Sequence, residues 1–380
     1  MFKPKVALVH SGLVLGGGPE AITLNTIEAL KDFCDLFLIT YEDVDLKMFN
    51  SFYGTNVRPE DISIIKVAKP YFKKASVLRR YKLTRYCQRI SSNFNVMFSI
   101  YNTMDFNTRG IQYIIDPSYS SRLLWMLNPS TKNRWFYKDS IIRRIYIKIG
   151  DFISNSSIDG IKRNKSIADS NWTGELAKKH LGIDCQTIYP PVLDNENRLV
   201  WEERENGFVC LGRMSPDKNI EKIVTILKRL KNQFSDIHLH IIGKDFDNVY
   251  KKQLEDFLGN ERDWVFIERN VASARKNELL SMHKYGIHGK DHEPFGISVA
   301  EIVKSGCIVW VPEGGGQVEI VNHANLVYSS IEDARDKINN VIHNLNLQKD
   351  LLDHLSNQAQ IFSVNKFRSQ IKELLLDFLN

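Results

Sequence analysis

The sequence predicts an α/β protein made of two doubly wound domains in succession. Its 380 residues exceed the size of one ordinary compact core. Short apolar runs alternate with helical patterns in both halves, and a polar stretch without hydrophobic period interrupts this alternation near the middle. We therefore predict an N-terminal domain at 1–190, a linker at 191–206, a C-terminal domain at 207–365 and a final helix at 366–380.

The first domain begins with the pattern of a βαβ unit. A β-rich run at 6–10 leads through the loop Gly16–Gly18 into a helical pattern at 19–30, and a second strand is predicted at 36–40. A proline just inside the helix start and a glutamate in its first turn suit a helix N-terminus. Three further strands are predicted, at 96–100, 111–115 and 166–169.

The second domain repeats the alternation. Its predicted strands lie at 208–211, 237–242, 264–267, 285–288 and 308–311. Its predicted helices lie at 220–230, 249–258, 276–282 and 297–304. The final amphipathic helix is expected to cross back to the N-terminal domain. Two such domains would bind ligands outside the carboxyl ends of their strands, in the cleft between them.

Composition excludes several classes of protein. The chain is 43% hydrophobic and 25% charged, and no apolar run approaches the roughly 18 residues of a membrane span. The apolar run at the N-terminus is too short for a signal peptide, so we expect a cytoplasmic protein. The five cysteines form no CxxC pair, which argues against a disulfide framework and against a zinc site.

Positive charge is concentrated in the N-terminal half. Residues 1–190 carry 27 Lys and Arg against 17 Asp and Glu. Two basic stretches interleaved with aromatic residues, 66–89 and 132–148, favour two interpretations equally: docking on the anionic inner face of a membrane, or an ordinary solvated face. Nucleic-acid binding is not expected, because no recognised DNA or RNA module is present.

Two glutamates eight positions apart are the leading candidate site. Glu293 ends the loop after a predicted strand and is expected to be exposed, while Glu301 lies inside the following helix. Carboxylates in this setting can accept hydrogen bonds from the vicinal hydroxyls of a sugar or ribose. The alternative is a helix-start glutamate and a surface glutamate without a ligand.

Neighbouring loops strengthen this interpretation. The loop Gly314–Gly316 stands between strand and helix, where glycine lets the backbone approach a pyrophosphate closely. Arg213 and Lys218 follow the first strand of the second domain and could neutralise the charge of a departing nucleoside diphosphate. Alternatively, Lys218 pairs with Asp217 on a solvated loop. All three loops follow strand ends that are predicted to face one cleft.

The motifs resemble a known family. In order and spacing, GRMSPDKN, HGKDHEPFGISVAE and EGGGQVEIV look like the C-terminal domain of the retaining glycosyltransferases of family 4. The segment NWTGELAKKHLGIDCQTIYPPV and the N-terminal GGGPE loop also fit that family. The wording IHGKDHEPFGIS is most similar to the mannosyltransferases that extend dolichol-linked oligosaccharides, and to their bacterial and archaeal relatives.

The resemblance implies a GT-B fold and retaining transfer of a hexose from a UDP- or GDP-linked donor to a glycan or lipid-linked glycan, in cell-surface polysaccharide or glycolipid synthesis. No cofactor or metal is expected. Carried over by motif, the diphosphate would be bound by Arg213 and Lys218, the donor sugar by Glu293 and the ribose by Glu301. Other donor contacts are implied for Gly16, Gly17, Phe295, Gly296, Ile297 and Gly315.

One position departs from the family pattern. Many relatives carry a histidine where this chain has Ile115, and the neighbouring Asp116 is a candidate substitute in the sugar pocket. His10 is interpreted as a strand-end residue packed under the glycine loop. Two alternatives stay open: a nucleotide-sugar epimerase or hydrolase on the same fold and, because of the missing histidine, a non-catalytic sugar-nucleotide-binding protein.

Four other signals are set aside. The DxD at 245–247 lies in a variable loop, so metal binding there is not expected. His288, Asp291 and His292 have ligand-like spacing but suit sugar contacts or strand-end packing better. A glycosidase pair is disfavoured by the adjacent glycine loop, and GLVLGGG does not match the dinucleotide fingerprint of a dehydrogenase.

Overall fold

The computed structural model divides into two compact units. Unit 1 comprises Met1–Leu124, Thr131–Pro191 and Val364–Asn380, and unit 2 comprises Trp125–Ser130 and Val192–Ser363. The residues that the structure describes are 3–13, 17–69, 76–100, 102–119, 121–128, 145, 150, 152, 154–196, 198–231 and 233–380. The basic stretch 132–148 therefore lies outside the described residues, apart from position 145.

Unit 1 contains a seven-stranded, all-parallel sheet in the order β3-β2-β1-β4-β5-β6-β7. The strands are β1 (Lys5–Val9), β2 (Asp35–Thr40), β3 (Ser63–Lys66), β4 (Val96–Ser99), β5 (Ile111–Ile114), β6 (Lys165–Ala168) and β7 (Gln186–Thr187). Strands β4 and β5 are buried at every residue, as expected for a parallel sheet that is covered on both faces. The sheet order reverses between β1 and β4, as in Rossmann-like folds.

Helices connect these strands. In unit 1 they are α1 (Gly18–Leu30), α2 (Leu46–Tyr53), α3 (Ser76–Ile90), α4 (Ser121–Leu127, which runs into unit 2), α5 (Ile158–Lys162), α6 (Asn171–Leu181) and α14 (Val364–Leu379). Side-chain caps start several of them; the Asp45 carboxylate accepts from Met48 N–H at α2, and the Ser170 hydroxyl accepts from Thr173 N–H at α6.

Unit 2 contains a six-stranded, all-parallel sheet in the order β10-β9-β8-β11-β12-β13. Its strands are β8 (Glu205–Leu211), β9 (Leu239–Gly243), β10 (Val265–Arg269), β11 (His283–Ile287), β12 (Ile308–Pro312) and β13 (Val327–Tyr328). Its helices are α7 (Ile220–Lys231), α8 (Asn248–Leu258), α9 (Ser273–Met282), α10 (Ile297–Lys304), α11 (Gln317–Val321), α12 (Ile331–His343) and α13 (Leu345–Gln358). Both predicted doubly wound α/β domains are confirmed.

The end of the chain returns to unit 1. Phe367, Ile371, Leu374 and Leu375 of α14 are buried in the same core as Ile27 of α1. This confirms the predicted return of the final helix. Among the described helices, none combines the length and the apolarity that a membrane crossing requires.

The segment that the sequence suggests as a linker is packed into unit 2. Val192 pairs with Ser363, and the buried Arg204 donates hydrogen bonds to the carbonyls of Leu199 (3.0 Å) and Ser305 (2.9 Å). A polar sequence without hydrophobic period can therefore be ordered by side-chain hydrogen bonds to backbone carbonyls, which leave no periodic signal.

The burial of one face of α14 predicts how two substitutions on this helix affect stability. Ile371→Ala removes a fully buried side chain and is expected to lower the free energy of unfolding by about 2–5 kcal/mol. Leu376→Ala on the same helix, where the side chain is 44% exposed, should change it by less than about 0.5 kcal/mol. Urea denaturation measures both; equal effects would contradict the burial of this face.

Candidate active site

Three loops at the carboxyl ends of adjacent strands form the candidate site in unit 2. They follow β8, β11 and β12, which are neighbours in the sheet. The first carries Arg213 and Lys218, the second Glu293 and the third Gly314–Gly316. Because the strands are parallel, their carboxyl ends lie on the same side of the sheet, and the three loops meet there.

The carboxylate of Glu293 is the centre of an ion-pair cluster. Its Oε2 lies 2.6 Å from Lys218 Nζ and 3.3 Å from His288 Nε2, and its Oε1 lies 3.6 Å from Lys290 Nζ. Lys290 Nζ also lies 3.3 Å from Asp217 Oδ2. The expectation that Glu293 is exposed is wrong, because its side chain is only 15% exposed.

Electrostatics keep this carboxylate ionised. Burial alone would raise the pKa of Glu293, but the ammonium groups of Lys218 and Lys290 outweigh burial and hold the pKa well below its usual range. Burial lowers the pKa of His288 despite the nearby carboxylate, so this imidazole is neutral at pH 7. Glu293 is thus a fixed anion beside two fixed cations, and Asp217, paired with Lys290, is the second anion of the cluster.

The backbone of Glu293 is held by the triple glycine. Gly316 N–H donates to the Glu293 carbonyl at 2.8 Å, and Glu293 and Gly315 form a parallel bridge. Gly315 has φ of +81°, and a Cβ there would overlap the Glu293 backbone. Gly315 and Gly316 therefore hold the backbone of Glu293, and with it the carboxylate at the centre of the cluster.

Gln317 also holds the loop that contains Glu293. This side chain is fully buried, and its Nε2 donates to the carbonyls of Lys290 at 2.9 Å and Gly314 at 3.2 Å. Gln317 therefore ties the loop after β11 to the loop after β12. Its role, like that of Lys290, is missing from the sequence-based site.

The segment after Glu293 turns into a helix at a glycine. Gly296 has φ of +105° and precedes α10, whose first amides have no intrahelical acceptor. Phe295 is buried and packs edge to face on Phe362 at 6.2 Å between ring centroids. Ile297 begins α10, so the predicted donor-contacting backbone at 295–297 lies at a helix N-terminus beside the ion-pair cluster.

Arg213 and Glu301 flank the cluster differently. The Arg213 guanidinium is exposed and stands 5.2 Å from the centroid of the Phe246 ring. Within the part of the chain that the structure describes, no carboxylate pairs with Arg213. Glu301 lies in α10, where its Oε1 is 2.6 Å from Lys276 Nζ. Arg213 is thus a cation available to an anionic ligand, while Glu301 already has a counter-ion.

The remaining candidates lie in unit 1. Gly17 precedes α1, and its carbonyl accepts a hydrogen bond from Tyr53 Oη at 2.9 Å. Asp116 follows β5 and accepts from Ser118 N–H at 3.0 Å. His10 is buried at the end of β1, and burial lowers its pKa to about 4. Gly16 lies outside the described residues.

The signals set aside have structural roles. Asp245 accepts a hydrogen bond from Arg269 Nε at 3.0 Å, and Asp247 caps α8 by accepting from Tyr250 N–H. Asp291 Oδ1 lies 3.4 Å from Lys222 Nζ. The DxD carboxylates are therefore occupied in an ion pair and a helix cap.

The loops and their sheet can now be compared with known proteins. Residues 193–360, which include every candidate in unit 2, match the family described as glycosyl transferases group 1. A relative from Dictyostelium discoideum, the GDP-Man:Man(3)GlcNAc(2)-PP-Dol alpha-1,2-mannosyltransferase, is 23% identical over 433 aligned positions, which cover 97% of this chain and 85% of that protein. The GDP-mannose-dependent alpha-mannosyltransferase of Mycolicibacterium smegmatis is 29% identical over 141 positions, 37% of this chain and 34% of that one.

The fold has solved counterparts. HepE of Anabaena, solved in complex with UDP and glucose, superposes with a TM-score of 0.69 over 98% of this chain and 99% of its own, at 15% identity. The chain is a family-4-like glycosyltransferase with the GT-B fold. Unit 2 of this glycosyltransferase contains the matched domain, and the cluster around Glu293 lies inside it.

The ion-pair cluster predicts a pH-dependent contribution to stability. Because the pKa of Glu293 is lowered on folding, its ionised form stabilises the protein fully above about pH 4.3, the ordinary value, and this contribution is lost as the pH falls through the folded-state pKa. Glu293→Gln leaves the mostly buried Lys218 without its anion and Lys290 with Asp217 alone, and should cost roughly 3–5 kcal/mol at pH 7. The difference from wild type should shrink below about pH 4.

Urea denaturation between pH 7 and pH 3 measures this difference. The matched control is Glu278→Gln, which removes a carboxylate from an exposed ion pair with Arg275 and should cost less than about 1 kcal/mol. A cost for Glu293→Gln that stays constant across this pH range would contradict the lowered pKa.

Proposed function

We propose that this glycosyltransferase transfers mannose from GDP-mannose to a lipid-linked glycan, with retention of the α configuration. The main observation in support of this function is that the ionised Glu293 lies beside Lys218, where three strand-end loops meet. The donor and acceptor are supported by the names of the two relatives, which specify GDP-mannose and, for one of them, a dolichol-linked glycan.

The proposed donor site divides its tasks by charge. Arg213 and Lys218 would bind the diphosphate, because they are cations at the carboxyl end of one strand. Glu293 would accept hydrogen bonds from the sugar hydroxyls, since it is ionised and held in place by Gly315. Glu301 would bind the ribose, with Lys276 as its partner.

The proposed reaction is a front-face substitution. The bond between the sugar C1 and the phosphate oxygen breaks, a bond from C1 to the acceptor oxygen forms, and the leaving phosphate oxygen takes the acceptor proton. No strong general base is then needed, and the chain supplies orientation and charge stabilisation. We expect no metal to take part, because Arg213 and Lys218 would stabilise the charge of the departing GDP. The donor mannose of GDP-mannose is α-linked, so the alpha products in the relatives' names favour retention.

The transfer can be tested with radiolabelled GDP-mannose and membrane lipid extracts as the acceptor source. Wild type should label a lipid-linked product, and UDP-glucose should serve at least about 100-fold less well if GDP-mannose is the donor. Glu293→Gln should lower kcat/KM by about 10²–10³, the loss typical of removing one preorganised electrostatic contact. Glu278→Gln is the control and should retain wild-type turnover.

The alternatives give different products. Release of free mannose without an acceptor would identify a donor hydrolase, and the absence of turnover with intact GDP binding would identify a binding protein. Wild-type kcat/KM in Glu293→Gln would refute the assigned role of this residue. The anomeric configuration of the product, read by NMR, tests retention.

Membrane docking by the N-terminal half is a separate part of the proposal. Within 66–89, Lys66 and Lys69 are paired with Asp43 and Glu42, each at 2.5 Å. Lys82 and Arg89, both on α3, are exposed. These would contact anionic headgroups, each contributing about 1 kcal/mol.

Flotation with phosphatidylserine vesicles at low salt tests this docking. Lys82→Glu combined with Arg89→Glu should reduce the bound fraction at least about tenfold, because it reverses two charges at the surface. The same charge change at the exposed Lys252 and Lys349 of unit 2 is the control and should leave binding intact. Equal losses in the two double variants would indicate a general charge effect, and wild type that fails to float would overturn the docking.

A further inference from the structure

A second cluster of polar side chains lies at the amino ends of the strands of unit 2, opposite the carboxyl ends that carry the candidate active site. His283 is the first residue of β11, Glu205 is the first of β8, His238 immediately precedes β9 and His240 is the second residue of β9. These three strands are neighbours in the order β9-β8-β11, so their amino ends meet. One nitrogen from each histidine lies within 4.8 Å of the other two.

Backbone acceptors set the tautomers of two of these rings. His238 Nδ1 lies 3.0 Å from the Asp236 carbonyl oxygen, and His283 Nδ1 lies 2.6 Å from the Leu279 carbonyl oxygen. A carbonyl can only accept, so each neutral ring carries its proton on Nδ1. The lone pair of each ring is then on Nε2.

These two lone pairs point at each other. His238 Nε2 and His283 Nε2 are 3.0 Å apart, and Glu205 Oε2 lies 3.1 Å from the first and 3.8 Å from the second. Three electron donors so close repel one another unless a cation stands among them. Their separations match those of ligands around tetrahedral zinc, about 3.3 Å for bonds of about 2.0–2.1 Å.

The third histidine has the partner expected of a metal ligand. His240 Nδ1 lies 3.1 Å from Glu268 Oε1, a carboxylate that accepts a hydrogen bond from the Nδ1–H and leaves the lone pair of Nε2 for a metal. Metal-binding histidines commonly donate their second nitrogen to such a carboxylate or carbonyl, which orients the ring. All three rings of the cluster have this kind of contact.

The absence of a side chain at Gly207 makes room for the rings of His238 and His283. A Cβ atom at Gly207, in β8, would overlap both His238 and His283. The side chain of His283 is 1% exposed, and those of His240 and His238 are 13% and 19% exposed. The donor set is therefore mostly buried, and Glu205, at 50% exposure, closes it towards solvent.

We propose that His238, His240 and His283 bind a Zn²⁺ ion and that Glu205, which lies beside His238 and His283, supplies the fourth ligand when the ion is bound. Imidazole nitrogen and carboxylate oxygen both suit this metal, and four protein ligands are typical of a structural site. The ion would join β8, β9 and β11 at their amino ends. With strands of five to seven residues at about 3.3 Å per residue, this lies roughly 15–20 Å from the donor loops, so the absence of metal expected for transfer is unaffected.

Metal titration of the full chain tests the proposal. Protein stripped with EDTA and dialysed should bind one Zn²⁺ per chain by calorimetry, and Zn²⁺ at about 100 times its Kd should raise Tm by roughly 5–10 °C. Co²⁺ in its place should give the intense visible absorption of a tetrahedral site. His238→Ala should abolish the binding and the Tm shift, and Glu205→Gln, at a half-exposed position, should weaken both at least about tenfold.

The control is His180→Ala, which removes an exposed histidine in unit 1 and should bind Zn²⁺ as wild type does. Circular dichroism of the stripped variants confirms that they fold. The proposal is overturned if wild type neither binds Zn²⁺ nor gains Tm, which would leave a proton shared between the two Nε2 atoms. It is equally overturned if His238→Ala and Glu205→Gln bind the ion with wild-type affinity.

Discussion

The candidate site depends on one buried ion pair, that between Glu293 and Lys218. A carboxylate at 15% exposure is costly unless cations and hydrogen bonds compensate for lost water, and here Lys218 and Lys290 supply that compensation from two different loops. The loops after β8 and β11 are therefore constrained to approach each other. The third loop is constrained as well, because Gly315 and Gly316 pair with the backbone of the same glutamate.

The fold was largely predictable because parallel sheets are buried on both faces and appear in sequence as short apolar runs. The runs around β1, β4 and β12 are of this kind, and α10 was predicted at its observed bounds. The edge strand β3 was missed, since Ser63–Lys66 is mostly exposed and has only two apolar residues in succession. Helices α12 and α13 were missed too, although each buries residues at helical spacing; only three residues of each are buried, and polar residues fill most of the other positions.

The candidate site could be predicted in its composition but not in its burial. The spacing of Glu293, Lys218 and the triple glycine placed them at adjacent strand ends. Periodicity gives no information on a loop, so the burial of Glu293 and the second cation, Lys290, became visible only in three dimensions. The histidines of the second cluster were missed for a related reason: they come from separate strands, and no short motif links His238 to His283.

The return of α14 to unit 1 has a consequence for the order in which the chain can fold. Unit 1 lacks part of its core until Phe367 and Leu375 have left the ribosome, whereas every segment of unit 2 precedes them. During synthesis the first unit to begin is thus the last to be completed. While the whole of unit 2 is synthesised, the apolar surface of unit 1 that α14 later covers stays exposed to chaperones and to non-native association.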